Sequence, residues 1–182
     1  VATMSIGCVT CGVYSTSAAE EVAYVVGHSE SKILFVENEE QVDKVLEIED
    51  QLPTKEVIVW DPKGLWGFSH PGIKFYDEFM ERGKKYLAEH PACISERMNK
   101  IKPDDVAMMI YTSGTTGRPK GAMITHDNIM AITESFTKVI AVSRKDELLS
   151  YLPLAHIYEN LISVFQGTWS GGTVNFVESM DT

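Results

Sequence analysis

Short apolar runs alternate along this chain with stripes of helical period, and that alternation limits the fold more than any single residue does. Ile33-Leu34-Phe35-Val36 and Val57-Ile58-Val59-Trp60 are continuous apolar runs, the pattern of strands covered on both faces. Between them Asn38 is placed to cap a helix in which Val42, Val45 and Leu46 share one stripe. Before them Ser17-Ala18-Ala19-Glu20 has capping-box spacing, followed by Val22, Val25 and Val26 at helical intervals. Strand, helix, strand predicts an α/β fold of parallel-sheet layers joined by crossover helices.

The alternation pauses and then resumes. Residues 61–74 hold Pro62, Gly64, Gly67, Pro71 and Gly72 around Trp66 and Phe68, and read as a long surface loop or arm. Asp77 to Glu89 reads as a helix ended by Pro91. After Pro103 come a strand at Val106–Tyr111, a loop from Thr112 to Gly121 and a brief strand at Ala122–Thr125. A helix at His126–Val142 would present Ile129, Ile132, Phe136 and Val139 on one face. A strand at Leu148–Leu152, a helix over 156–169 broken by Gly171-Gly172, and a strand at Thr173–Val177 complete the series.

Composition narrows the function classes. At 182 residues, 44% apolar and 23% charged, the chain is of ordinary globular make-up. Sixteen Lys+Arg against 26 Asp+Glu give a net charge of −10, and the basic residues are scattered, so no nucleic-acid partner is expected. No apolar run reaches the roughly 20 residues of a membrane span, and no secretory leader is evident. The three cysteines, with Cys8 and Cys11 as a C-x-x-C among small apolar residues, fit a reducing, cytoplasmic setting better than a redox or zinc site. The chain begins at Val1, which leads us to expect a piece of something longer.

The most informative stretch is Tyr111-Thr112-Ser113-Gly114-Thr115-Thr116-Gly117-Arg118-Pro119-Lys120-Gly121, directly after a strand. Glycines let backbone N–H groups turn toward an anion, hydroxyls add donors without bulk, and a lysine supplies a mobile positive charge. The ligand suited to such a loop is a polyphosphate. The Walker spacing fails, because Pro119 stands where its second glycine belongs. The dinucleotide fingerprint is absent, and Tyr111 removes the glycine that a hydrolase elbow around Ser113 would need.

The stretch YTSGTTGRPKGAM closely resembles the phosphate loop of the adenylate-forming (AMP-binding) synthetases, the superfamily of acyl-CoA synthetases, luciferases and peptide-synthetase adenylation domains. Tyr151-Leu152-Pro153-Leu154-Ala155-His156-Ile157-Tyr158-Glu159 resembles the second core motif in its long-chain fatty acyl-CoA synthetase form. Gly12-Val13-Tyr14-Ser15-Thr16-Ser17 and His28-Ser29-Glu30-Ser31-Lys32 are similar to the same branch. The resemblance implies a long-chain fatty acid–CoA ligase that uses ATP, Mg²⁺ and coenzyme A to make acyl-AMP and pyrophosphate, then acyl-CoA. It implies that Thr112, Ser113, Gly114, Thr115, Thr116, Gly117 and Lys120 cradle the triphosphate. His156 would lie near the carboxylate and α-phosphate, and Tyr158 and Asn160 near the acyl entrance.

Other family parts are absent from the chain and expected beyond Thr182: the Tyr-Gly-x-Thr-Glu glutamate that helps bind Mg²⁺, the ribose-binding aspartate and the mobile C-terminal domain. The expectation is therefore an internal piece of the large N-terminal domain, inactive alone and prone to self-association. Residues 1–145 would form a first α/β subdomain and 146–182 the start of a second. His156-x-x-Glu159 also has the spacing of two metal ligands one turn apart, but nothing supplies the others, so no metal site is assigned. An aryl, amino or short-chain acid ligase, and a non-catalytic nucleotide-binding module, remain alternatives. Membrane contact by the whole protein stays open.

Overall fold

The computed structural model describes residues 1–112 and 117–177. The chain divides into two compact units, one of Val1–Tyr14 with Arg97–Thr182, the other of Ser15–Glu96.

The Ser15–Glu96 unit is built on a parallel sheet of order β2-β3-β4, with β2 at Ile33–Val36, β3 at Glu56–Val59 and β4 at Ile73–Phe75. Strand alternation sorts its side chains onto two faces. On one face Val57, Val59 and Ile73 form a buried aliphatic cluster with Val42 and Val45 of α3 (Glu39–Ile48), and Leu34, Val36 and Phe75 close its margin. On the other face Phe35 meets Phe79 of α4 (Tyr76–Glu89) edge-on at 5.5 Å, beside the fully buried Ile58. Arg82 of α4 grips Glu56 at the start of β3 with both guanidinium nitrogens, which holds the Glu56 carboxyl below the usual glutamate range.

Several expectations for this unit hold. Asn38 caps α3 by accepting from the Gln41 N–H at 3.3 Å, and α2 (Ala19–His28) buries Val22, Val25 and Val26. Others need correction. The helix begins at Ala19 with Ala18 as its cap, so Ser17 lies one residue too early to close the expected capping box. β2 is an edge strand with Ile33 and Phe35 nearly half exposed, not a strand covered on both faces. Residues 61–74 lie largely at the surface, but they are anchored. Leu65 is buried in the aliphatic cluster, Phe68 packs on it, and the stretch runs into β4. Glycine and proline density marked the turns but not the two apolar anchors between them. The short α5 (Cys93–Met98) also follows Pro91 unannounced.

The Val1–Tyr14/Arg97–Thr182 unit holds a sheet of order β1-β5-β6 and a separate parallel pair, β7-β8. β1 (Thr10–Cys11) lies parallel to β5 (Val106–Thr112), whereas β5 and β6 (Lys120–Thr125) form an antiparallel hairpin. Met4 of α1 (Ala2–Ser5), Ala107, Met108, Ile110 and Ile129 make its core. Ile129 belongs to α6 (His126–Val139), whose inward positions are Ile129 and Thr133; Ile132 and Val139, expected on that face, are exposed. β7 (Glu147–Ser150) and β8 (Thr173–Phe176) are joined by one helical run that changes type. It starts as α7 (Ile157–Glu159), widens to a π-helix at Asn160–Gln166 and ends as α8 (Gly167–Ser170). Gly171 then turns the chain at φ +69°, as the Gly171-Gly172 pair predicted.

Candidate functional site

The described residues of the glycine- and hydroxyl-rich loop sit on a hairpin. Thr112 closes β5 and Lys120 opens β6, and the two are register partners across the mouth of the loop. Both are exposed, so the hydroxyl and the ammonium stand together at the loop's base. Gly117 lies between them with φ +101°, a conformation that disfavours any side chain. Ser113, Gly114, Thr115 and Thr116 lie outside the described residues. Behind the mouth, Tyr111 pairs with Gly121, and a Cβ at Gly121 would come within 3.1 Å of the Tyr111 ring. The glycine lets the aromatic ring lie across its partner strand.

This architecture differs from a Walker loop in a physically relevant way. A strand follows the loop instead of a helix, and α6 begins only at His126. Among the described residues the hairpin therefore offers an anion the Thr112 hydroxyl and the Lys120 ammonium, with no helix N-terminus directly after the loop.

His156 occupies the turn between β7 and α7. It is the N-cap residue, as its expected place at a helix start required, and its Nδ1 accepts the Tyr158 N–H at 3.2 Å. An acceptor at Nδ1 leaves the ring proton of the neutral imidazole on Nε2, and the side chain is exposed. Tyr158 is about half exposed beside it, while Asn160 turns its Nδ2 back to donate to the Leu154 carbonyl.

Two residues to which the sequence assigned no structural role hold this turn. Gly12, just past β1, lies against Ala155; a Cβ there would sit 2.9 Å from the Ala155 Cα. Because β1 and β5 run parallel, with Cys11 beside Met109, Gly12 and Thr112 mark the same, carboxyl end of the sheet. The His156 turn and the Thr112–Lys120 hairpin thus meet the same edge of the core. That is where open α/β sheets bind ligands.

Glu159 is the second. It is 2% exposed, and its carboxylate accepts from the Leu152 N–H at 3.1 Å and from the Ser163 hydroxyl. Burial pushes its pKa up, but donors from Ser150, Ser163, Leu152 and Tyr151 outweigh that and leave it below the usual glutamate range. Those donors take up the oxygens that a metal would need, so His156 and Glu159 do not present themselves as a ligand pair. The signal in the sequence was a glutamate with Ser150 upstream and Ser163 four residues downstream, among several apolar residues.

The family profile described as AMP-binding enzyme matches residues 1–182. The chain belongs to that family. Curated relatives include long-chain-fatty-acid–CoA ligase ACSBG2 of Xenopus laevis, 34% identical over 171 residues, which cover 92% of this chain and 23% of the relative. Long-chain-fatty-acid–CoA ligase heimdall of Drosophila melanogaster is 31% identical over 177 residues, covering 94% of this chain and 26% of the relative. The chain therefore spans about a quarter of the length of these relatives. Among solved structures, the fold matches the anthranilate CoA ligase AuaEII in complex with anthranoyl-AMP at TM-score 0.73 and 16% identity, over 95% of this chain and 31% of that one. It matches the Mycobacterium tuberculosis fatty acyl CoA synthetase at TM-score 0.70 and 24% identity, over 96% of this chain and 30% of that one. The α/β fold class and the adenylate-forming membership expected from the sequence both stand.

Proposed function

We propose that this chain is the phosphate-binding part of an ATP-dependent long-chain fatty acid–CoA ligase. The observation that carries the reading is the shared edge of the β1–β5 sheet, which gathers the Thr112–Lys120 hairpin and the His156 turn. In the first half-reaction a fatty-acid carboxylate oxygen attacks the α-phosphorus of ATP, and the bond to the pyrophosphate leaving group breaks. In the second, the thiol of coenzyme A attacks the acyl carbon, loses its proton, and AMP leaves. Both partners of the first step are anionic, so the barrier falls when donors hold the charge of the leaving group and fix the angle of approach.

In this reading Thr112, Ser113, Gly114, Thr115, Thr116, Gly117 and Lys120 cradle the triphosphate, and the Nε2–H of His156 faces the carboxylate and α-phosphate. Tyr158 and Asn160 border the acyl entrance. Mg²⁺ supplies further neutralisation of the phosphates when bound, and its main protein ligand belongs to the part of the protein outside these residues. The β7–β8 pair begins a second subdomain near residue 146, and the protein works in the cytoplasm. Peripheral membrane contact of the whole protein and self-association of the isolated chain belong to the same proposal.

The test is ATP–pyrophosphate exchange by the full-length protein with palmitate, octanoate, benzoate and glycine in parallel, followed by thioester formation with coenzyme A. Exchange strongest with palmitate supports the reading. Exchange strongest with benzoate, glycine or octanoate moves the protein to another ligase class, and ATP binding without exchange makes it a nucleotide-binding module. The isolated 182 residues are expected to show no exchange.

A further inference from the structure

The carboxylate of Glu159 has no role in the chemistry just set out, yet it is one of the most thoroughly buried polar groups described. Its donors come from both sides of His156 along the chain. Upstream are the Ser150 hydroxyl and the Tyr151 and Leu152 N–H groups, at the exit of β7; downstream is the Ser163 hydroxyl, one turn further along the helical run. An ionised carboxylate offers about four lone-pair sites and donates nothing, so this ring of donors matches its capacity. The group also lies in the first turn of the helix, where a negative charge meets the positive end of the peptide dipoles.

Between these donors the chain has little freedom left. The His156 N–H donates to the Pro153 carbonyl at 2.8 Å, and the Asn160 N–H donates to the His156 carbonyl at 3.2 Å. Asn160 Nδ2 reaches back to the Leu154 carbonyl, and Ala155 rests against Gly12. The loop from 151 to 156 is thus closed onto its own helix by one anion and one amide.

We infer that Glu159 is a positioning residue: its buried carboxylate fastens the end of β7 to the helix and so fixes the turn that aims His156. The inference rests on the function proposed above. A glutamine in its place keeps the size but turns an NH₂ group toward hydrogen-bond donors, so one or more upstream N–H groups lose their acceptor and the turn loosens.

The experiment compares full-length protein with Glu159→Gln, Glu159→Asp, Ser163→Ala, His156→Ala and the double variant of Glu159→Gln with His156→Ala. Two readouts are taken: steady-state adenylation kinetics, and amide hydrogen exchange of peptides covering residues 150–158. For Glu159→Gln we expect kcat to fall by about 30-fold or more, with KM for ATP and acid within about threefold, because misplacement of an aligned group costs chemistry more than binding. Glu159→Asp recovers part of the loss. The double variant is no slower than His156→Ala by more than about threefold, because the second lesion acts through a group already gone. Exchange at Tyr151 and Leu152 quickens in Glu159→Gln while the thermal midpoint of the remainder holds.

A Glu159→Gln enzyme within about twofold of wild type in kcat, or losses that multiply with His156→Ala, overturn the inference. If Glu159→Gln does not fold, Ser163→Ala decides: a kcat reduced several-fold at unchanged KM supports it, and an unchanged kcat overturns it. If the wild-type protein shows no adenylation at all, the proposed function fails first. The exchange readout then still judges Glu159, because unchanged protection of residues 150–158 overturns the positioning role whatever the reaction is.

Discussion

Two crossovers in this chain have one topology and opposite interiors. β2 and β3 are parallel strands in four-residue register joined through α3, and β7 and β8 are parallel strands in four-residue register joined through the α7–π–α8 run. The first crossover buries Val42, Val45 and Ile48; the second buries Glu159, Ser163 and Gln166. Gln166 is fully buried and donates from Nε2 to the Thr137 hydroxyl of α6 at 3.0 Å. Aliphatic burial is non-directional: it holds α3 on the sheet but leaves small shifts cheap. Hydrogen bonds from buried polar groups are directional, and an unmet one is expensive, so the second crossover holds its turn at a specific place. Ser163, one turn on from Glu159, donates its hydroxyl to that carboxylate from within a π segment, a form common near functional sites.

The contrast can be broken most violently by exchanging the character of the two interiors. Val42→Asp puts a carboxylate where no donors wait. We expect a loss above about 4 kcal/mol, read as collapse of the Ser15–Glu96 unit in urea denaturation, although Glu159 is carried natively in the other crossover. Next in size is Gly12→Ala. Its Cβ would press on the Ala155 backbone at 2.9 Å, so we expect about 1–3 kcal/mol of destabilisation together with a fall in kcat, since the His156 turn must give way. Retention of full kcat would separate the turn from catalysis.

Asn38→Ala removes only the cap of the aliphatic crossover. About 1 kcal/mol should be lost in the denaturation midpoint, with kcat per folded molecule unchanged. The smallest effect is a slope with pH. Glu159 has its pKa lowered in the folded state, the hydrogen bonds outweighing burial. The unfolded chain therefore binds its proton first as pH falls. The stability contributed by the carboxylate is complete above the ordinary glutamate value of about 4.3 and is lost as pH drops from there through the folded value. Glu159→Gln should flatten that part of the stability–pH curve; an identical slope would mean that the carboxylate is not held by its four donors.

How much of this was legible in the sequence follows the same division. Val42, Val45 and Asn38 announced α3, because aliphatic spacing and a capping residue act within a few residues. The Thr112–Lys120 loop was legible too, since its glycines, hydroxyls and lysine are adjacent. The misplaced features depend on distant partners. Ser17 has capping-box spacing, but the helix starts at Ala19; Leu65 lies among turn residues yet fills a core completed by Val59 and Ile73. Glu159 showed only its spacing to His156, because nothing in the local sequence reveals that Tyr151 and Leu152 turn their N–H groups toward it.

By itself the sequence determined the α/β class, most of the strands and helices in their order (α1, β1, β4 and α5 excepted), and the composition of the Thr112–Gly121 loop. These follow from periodicity and from contiguous residues. Only the tertiary structure decided that β5 and β6 form an antiparallel hairpin, that Gly12 admits the Ala155 backbone, and that one buried carboxylate closes the His156 turn. Each of those depends on which distant groups meet. That is fixed by the balance of burial and satisfied hydrogen bonds over a whole unit, not by any window of the chain.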